Sequence, residues 1–447
     1  MSVVENKLVP VDYDGNGTFD LGFFAGGPSG TTLIGQLAAW LLSPGTGLPS
    51  TQALVDGTFT WALGDLSVPG DGFIPGIGNS LPFAPSAGAF FFAPDFNGDG
   101  KTDQGFASED DFTLFSPPNP PEFYELATWF MDGTGVTFQD FLRDSQGNIA
   151  TVLVSEGWAD PSLYLAIGGQ GPLGDFDNDN DTDILFLRPS PLVSGETQIA
   201  FWIIENGVVT AQQVLGDTAK ADWSLVNTND LNADGTTDLI FTKTSGSQLT
   251  DMGFWTINGT QITGQGSTEV TGDDWTVVDT NDFNGDGTAD IAFFNTTSRE
   301  VAVWTMNGTS VTAQAVIDTV ASGYALVDHN DFNGDGKADL LFKQEGGTSG
   351  DKYAVWLLNG TGTPLAQSNL QVNGGDAVAT ANWEFVATGD TNADGKADIV
   401  FYNKNTGEVG SWLLNGVDVA QQQVIGTVTG GFNAPFVQGS VTLPLPT

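Results

Sequence analysis

Two markers that repeat together seven times along the 447 residues predict an all-β fold, a seven-bladed β-propeller of four-stranded antiparallel blades with an acidic hairpin loop in each. The first marker is the nine-residue pattern D-x-[DN]-x-[DN]-[GN]-x-x-D, opening at Asp12, Asp95, Asp175, Asp230, Asp282, Asp331 and Asp390. The second is a tryptophan followed by apolar residues and a turn, at Trp40, Trp129, Trp202, Trp255, Trp304, Trp356 and Trp412, one in each interval. From Asp175 onward the loops recur every 49 to 59 residues, the length of four short strands and their turns. A linear β-solenoid is the alternative, and its repeats are usually much shorter.

Each strand of the unit can be justified in turn from Asp222 to Val270. Residues 223–228 form a first strand, and the acidic loop follows. Residues 238–242 form a second, with counterparts at 183–187, 290–294, 339–343 and 398–402. These runs are apolar without alternation, so both faces are buried, as for a strand between neighbouring blades. A third strand ends in Asn-Gly at Asn206, Asn258, Asn307, Asn359 and Asn415, which predicts two-residue type I′ turns. A fourth, such as residues 260–265, completes the meander. The whole chain reads as one domain, with blades at about 1–87, 88–157, 158–221, 222–273, 274–322, 323–381 and 382–447. Residues 6–12 and 432–439 both look like first strands and are expected to meet and close the ring.

Composition bounds the partners. Twelve Lys and Arg against 55 Asp and Glu give a formal charge of −43, which repels nucleic acid and anionic lipid. A disordered acidic tail is excluded by 40% hydrophobic residues, including 31 Phe and 12 Trp. With no cysteine there is no disulfide, thiolate metal site or thiol nucleophile. No apolar stretch is long enough to span a membrane. A soluble monomer is expected, with no membrane insertion and with any export signal removed or outside this sequence.

The loops offer oxygen ligands only. Side chains at positions 1, 3, 5 and 9, with the carbonyl of position 7, can converge on a hard cation, and a Gly at position 6 supplies the sharp turn. This predicts about seven calcium ions. The ligand sets are Asp12, Asp14, Asn16, Thr18 and Asp20; Asp95, Asn97, Asp99, Lys101 and Asp103; and Asp175, Asp177, Asp179, Asp181 and Asp183. They continue with Asp230, Asn232, Asp234, Thr236 and Asp238; Asp282, Asn284, Asp286, Thr288 and Asp290; Asp331, Asn333, Asp335, Lys337 and Asp339; and Asp390, Asn392, Asp394, Lys396 and Asp398. The third loop has Asn180 where the turn calls for Gly, and Asn tolerates that conformation next best.

At D-F-N-G-D-G-x-A-D, in residues 282–290 and 331–339, the sequence resembles the FG-GAP/VCBS repeats of bacterial surface proteins, and the same loop type occurs in the propeller of integrin α subunits. The resemblance runs over essentially the whole chain and is closest from Asp222 to Gly426. It implies a calcium-stabilised propeller of a secreted bacterial protein, extracellular or on the cell surface, that serves adhesion or ligand recognition. The Phe-Gly and Gly-Ala-Pro signatures are degenerate here, and the first two units are about 30 residues too long.

The expected function is therefore a non-catalytic recognition module whose partner is a cell-surface protein or glycan. Insertions at 64–88, 108–125 and 143–161 are its candidate carriers, since loops on a rigid scaffold usually bear recognition. Within them Phe112, Phe115, Phe123 and Tyr124 are candidate ligand-binding residues. The repeated Trp223, Trp275 and Trp383, with Tyr324 in the equivalent place, read as core between blades more readily than as sugar platforms. The only histidine, His329, is expected to hydrogen-bond the adjoining loop. No nucleophilic triad can be assembled, so no enzyme is expected. The alternatives are a polysaccharide-active enzyme or lectin on the same propeller, and a structural spacer.

Overall fold

The computed structural model describes residues 12–29, 32–62, 90–92, 95–110, 123–132, 135–148, 150–153, 173–189, 196–219, 222–344, 346, 350–380 and 382–428. Among them there is no helix. The described strands form seven sheets, each built on an antiparallel meander of strands in chain order. The fourth consists of Trp223–Asn229, Asp238–Ser245, Gln248–Asn258 and Gln261–Glu269. The fifth repeats it with Trp275–Asn281, Asp290–Asn295, Glu300–Asn307 and Ser310–Thr319. The seventh does so with Trp383–Gly389, Asp398–Asn403, Glu408–Asn415 and Asp418–Thr427. The arrangement is that of a β-propeller.

The unbroken apolar second strands serve two cores at once. Leu239 and Phe241 pack with Phe176 of the third acidic loop and Phe201 of the third sheet, while Ile240 packs with Ile291 and Phe293 of the fifth. Burying each such side chain contributes about 1.5–3 kcal/mol, which fixes one sheet against the next. Inside a sheet, the second-strand Phe and third-strand Trp meet at a tilt: Phe241–Trp255, Phe342–Trp356 and Phe401–Trp412 at 4.8 Å, and Phe293–Trp304 at 4.7 Å. Trp223, Trp275, Tyr324 and Trp383 are partly buried and pack against these same clusters.

The first sheet closes on the seventh. Phe19, Leu21, Trp40 and Leu42 share a core with Ala387, Val400, Val409 and Ile425. Two glycines permit the approach: a Cβ on Gly426 would stand 2.8 Å from the Trp40 indole, and one on Gly389 would stand 2.6 Å from the Phe19 ring. Residues 6–11 and 432–439 lie outside the described residues, so the closure seen here is made by other parts of the chain.

Two features depart from the expected unit. The Asn-Gly turns are not uniform. Asn206 and Gly207 are the two loop residues of their hairpin, with φ of 52° and 76°, as type I′ requires. At Asn258, Asn307 and Asn415 the asparagine closes the strand instead, and the loop pairs are Gly259–Thr260, Gly308–Thr309 and Gly416–Val417. Glycine then holds positive φ at the first loop position, the requirement of type II′. Asn359 starts a longer connection, from residue 358 to 365, with an isolated bridge to Thr361. The second departure is a lacing of sheets. Arg143–Asp144 and Gln371–Val372 each pair in parallel with the outer strand of the following sheet.

The four described first strands from Trp223 onward carry the same irregularity. Their register with the second strand shifts between Leu225 and Asn227, Val277 and Asp279, Leu326 and Asp328, and Phe385 and Ala387. A bulge of this kind re-aims the side chains that follow it.

Candidate metal centres

All seven acidic loops share one backbone. Position 6 has positive φ in every loop, from 72° at Asn180 to 87° at Gly235 and Gly287. Position 4 does as well, and there the residues are not all glycine: Asn178 has φ 66°, Ala233 57° and Ala393 56°. Alanine in the left-handed region costs about 1–2 kcal/mol, so the surrounding loop holds it there.

The position 1 carboxylate gathers the loop's amides. Asp282 Oδ1 accepts from Gly285 and Asp286 at 2.5 and 3.2 Å, and its Oδ2 accepts from Gly287 at 2.8 Å. Asp12 repeats the pattern with Gly15, Asn16 and Gly17 at 2.8, 3.1 and 2.7 Å. Positions 3 and 5 continue it, Asp14 accepting from the Asn16 amide and Asp286 from the Thr288 amide.

Position 9 is fully buried in all seven loops. Its Oδ2 accepts the amide of position 2, as in Asp290 with Phe283 at 3.2 Å and Asp339 with Phe332 at 3.1 Å. Its Oδ1 accepts an amide of the third strand, from Met306 to Asp290 at 3.0 Å and from Leu414 to Asp398 at 2.9 Å. The residue that opens the second strand therefore also pins the loop to the third strand, a role its position in the motif did not suggest. Burial pushes these carboxyls up, to about 8 in Asp20 and Asp183 and about 7 in Asp238, Asp290, Asp339 and Asp398, against the pull of the two amides.

The side chains converge. Carboxylate oxygens of Asp12, Asp14 and Asp20 lie within 4.8 Å of one another, as do those of Asp175, Asp177 and Asp183. In the last three loops the position 3 asparagine donates to the position 5 Asp, and Asn284 Nδ2 reaches both Asp286 Oδ2 at 3.0 Å and Asp290 Oδ1 at 3.3 Å. In the third loop Asp177 Oδ1 is buried without a hydrogen-bond partner. Burial first, then the charges of Asp179 and Asp175, push the Asp177 carboxyl up to about 6. A buried carboxylate oxygen without a donor, set among other carboxylates, fits a hard divalent cation that takes oxygen ligands.

The loops also join one another. The amide of position 8 donates to the carbonyl of position 1 in the preceding loop: Thr102 to Asp12, Thr182 to Asp95, Thr237 to Asp175, Ala289 to Asp230, Ala338 to Asp282 and Ala397 to Asp331, at 2.6–2.8 Å. Phe19 donates to Asp390 at 2.7 Å and completes the circle. All seven loops thus lie on one face. Residues 282–342 and 331–401 each match the family described as the FG-GAP-like repeat.

This chain is a β-propeller that carries FG-GAP-like repeats at residues 282–401.

The matched residues run from the fifth acidic loop through the sixth to the seventh, with the strands between them from Asp290–Asn295 to Trp383–Gly389. No curated protein matches the chain. Similar solved structures include a putative 6-phosphogluconolactonase from Bacteroides uniformis, at 11% identity and TM-score 0.40 over 94% of this chain and 98% of that one. The Swd1 β-propeller domain of Myceliophteria thermophila is 9% identical, with TM-score 0.36 over 78% of this chain and 88% of that one. Rhamnogalacturonan lyase PL11 of Bacillus licheniformis is 10% identical, with TM-score 0.31 over 98% and 97%. None of these likenesses bears on what the FG-GAP-like propeller does.

Phe112 and Phe115 lie outside the described residues, as does all of 64–88. Phe123 and Tyr124 lie on the strand Phe123–Asp132, where the backbone pairs with Asp110 and Glu109 on one side and Leu153 and Val152 on the other. His329 does not bond its own loop. Its Nδ1 lies 2.9 Å from Asp279 Oδ2 on the neighbouring first strand, and both side chains are buried. Asn227 Nδ2 donates to Asp279 Oδ1 at 3.2 Å, and Thr388 Oγ1 to Asp328 Oδ2 at 2.8 Å. The re-aimed residues after the bulges thus tie first strands together.

Proposed function

We propose that each of the seven loops holds one calcium ion and that the propeller is an extracellular, non-catalytic module for recognising a cell-surface protein or glycan. Asp177 carries this reading: a buried carboxylate oxygen with no donor, in a loop whose other acids face it. Positions 1, 3, 5 and 9 would supply side-chain oxygens and position 7 its carbonyl. A bound divalent ion would supply the positive charge that offsets three or four carboxylates held in one loop. The chain's own residues set the shape by fixing positions 4 and 6 in the left-handed region and by clamping position 9 between two amides.

Loops of this kind in extracellular modules bind calcium at about 10⁻⁴ to 10⁻³ M, so they fill outside the cell and stay empty in cytosol. Calorimetric titration of the purified chain tests the metal assignment, with about seven ions expected; failure to bind calcium would overturn it. A glycan array in millimolar calcium, repeated in chelator, tests the recognition role. Selective, chelator-sensitive binding supports a lectin-like module, and a blank array shifts the partner to a protein.

A further inference from the structure

The peptide between positions 7 and 8 belongs to two loops at once. Its N–H is the donor to the preceding loop's position 1 carbonyl in all seven junctions. Its C=O is the position 7 oxygen of its own loop. A trans peptide is planar, and its N–H and C=O point in opposite directions. Fixing the N–H against one loop therefore aims the C=O into the next. The residue that anchors the N–H is also the position 1 Asp, whose carboxylate organises the preceding loop.

A second contact runs between the same pairs of loops. Position 4 of one loop packs against positions 6 and 7 of the next. A Cβ on Gly15 would stand 3.4 Å from Lys101 Cγ, one on Gly285 3.2 Å from Lys337 Cγ, and one on Gly334 3.3 Å from Lys396 Cγ. Asn178 Nδ2 donates to the Asp234 carbonyl of the following loop at 3.0 Å. The residue types are matched around the whole circle. Where position 4 is glycine, position 7 of the following loop is Lys or Asp, in Gly15/Lys101, Gly98/Asp181, Gly285/Lys337 and Gly334/Lys396. Where it is Asn or Ala, the following position 7 is Thr, in Asn178/Thr236, Ala233/Thr288 and Ala393/Thr18. In the Gly15, Gly285 and Gly334 pairs the stem of the following lysine lies over the bare backbone of glycine. The loops are thus fitted to their neighbours one pair at a time.

We propose that the seven cation sites are energetically coupled around the ring, each loop presenting one ligand of the next through the peptide between positions 7 and 8. The inference rests on the reading of the loops as calcium sites. An ion that orders loop n fixes its position 1 backbone, and with it the carbonyl that aims the position 7 oxygen of loop n+1. Coupling is reciprocal, so an ion in loop n+1 favours one in loop n equally. Because the circle is closed, no loop lacks a neighbour on either side.

The test is calorimetric titration of calcium into the full chain and into Asp286→Ala, which removes one side-chain ligand from the fifth loop and leaves every junction peptide in place. Coupled sites predict that Asp286→Ala loses one ion and that the remaining sites weaken by about 5-fold or more. Loss of one ion with unchanged affinity elsewhere would overturn the coupling and leave the metal assignment standing. No binding by the unaltered chain would overturn both. Should Asp286→Ala not fold, the unaltered chain decides: a Hill coefficient above one supports coupling, and one or below overturns it.

Discussion

The main-chain amide of Phe19 donates to the carbonyl of Asp390 at 2.7 Å, joining the first acidic loop to the last. The Phe19 ring is buried at the same junction, against Ala387 and the bare backbone of Gly389. Replacing it with alanine removes a large core side chain at the seam of the ring. Phe19→Ala is expected to lower stability by about 3–5 kcal/mol, read from urea unfolding of the metal-loaded chain. Gly389→Val, which drives a branched side chain into the same ring, should cost about 1–3 kcal/mol or more.

Metal removal is the broadest test. An ion that binds only the folded chain adds about 2.7 kcal/mol per site at a hundredfold excess over its dissociation constant. Thermal melting in excess chelator is therefore expected at a markedly lower temperature than in millimolar calcium. An unchanged melting temperature would contradict the role assigned to the loops.

Asp279 and His329 form a buried pair between two first strands. Truncating one partner leaves the other buried without this bond, so Asp279→Ala and His329→Ala should each destabilise the chain by about 1–3 kcal/mol. The double variant should cost clearly less than the sum, because the lost bond is shared. Chemical unfolding of the three variants measures this.

Left-handed alanines give a prediction of opposite sign. Ala233→Gly relieves a backbone cost at φ 57° and should stabilise the chain by about 0.5–1 kcal/mol after the larger unfolded-state entropy of glycine is taken off. Gly98→Ala should destabilise it by more than the backbone cost alone, because the new methyl would overlap Asp181 Oδ1. Thermal unfolding of both variants at fixed calcium decides.

Asp376 gives a pH-dependent signal away from the loops. Side-chain hydrogen bonds from Lys352 at 2.8 Å, then Gln371 and Asn369, both at 3.0 Å, hold its carboxyl down at about 2. A carboxyl depressed on folding contributes stability above its unfolded value near 4, and that contribution is lost as pH falls through about 2. A carbon-detected NMR titration should find Asp376 still ionised at pH 3, and Lys352→Ala should raise its midpoint.

Much of this architecture was legible because two constraints write themselves into local sequence. A strand buried on both faces has to be apolar throughout, which exposes residues 238–242 and their counterparts. A loop that gathers oxygen ligands has to repeat its acids at fixed spacing. Other features depend on which strands become neighbours in space. The bond from His329 to Asp279 needs two first strands side by side and a bulge that turns both residues toward each other, and no local pattern encodes that pairing. The turns at Asn258, Asn307 and Asn415 differ from that at Asn206 by a single residue after the tryptophan, enough to move glycine from the second loop position to the first. Positive φ at Ala233 and Ala393 left one trace: both occupy the column held by glycine in four of the other five loops.

The matching of position 4 to the following position 7 also constrains how such a ring can gain or lose a unit. Excising the stretch from Asp331 to Gly389 would bring Gly285 beside Lys396, a pairing of the kind already present at Gly285/Lys337 and Gly334/Lys396. Excising the stretch from Asp282 to Asn330 would instead set the Ala233 methyl against the long Lys337 side chain, a combination found at no junction of the chain. Duplication and deletion of whole units are thus not equivalent around the circle. The sixth unit could be lost or multiplied with its seams intact, and the residues that permit this are a glycine and a lysine, Gly334 and Lys337, the lysine pairing with Asp335 of its own loop at 3.5 Å.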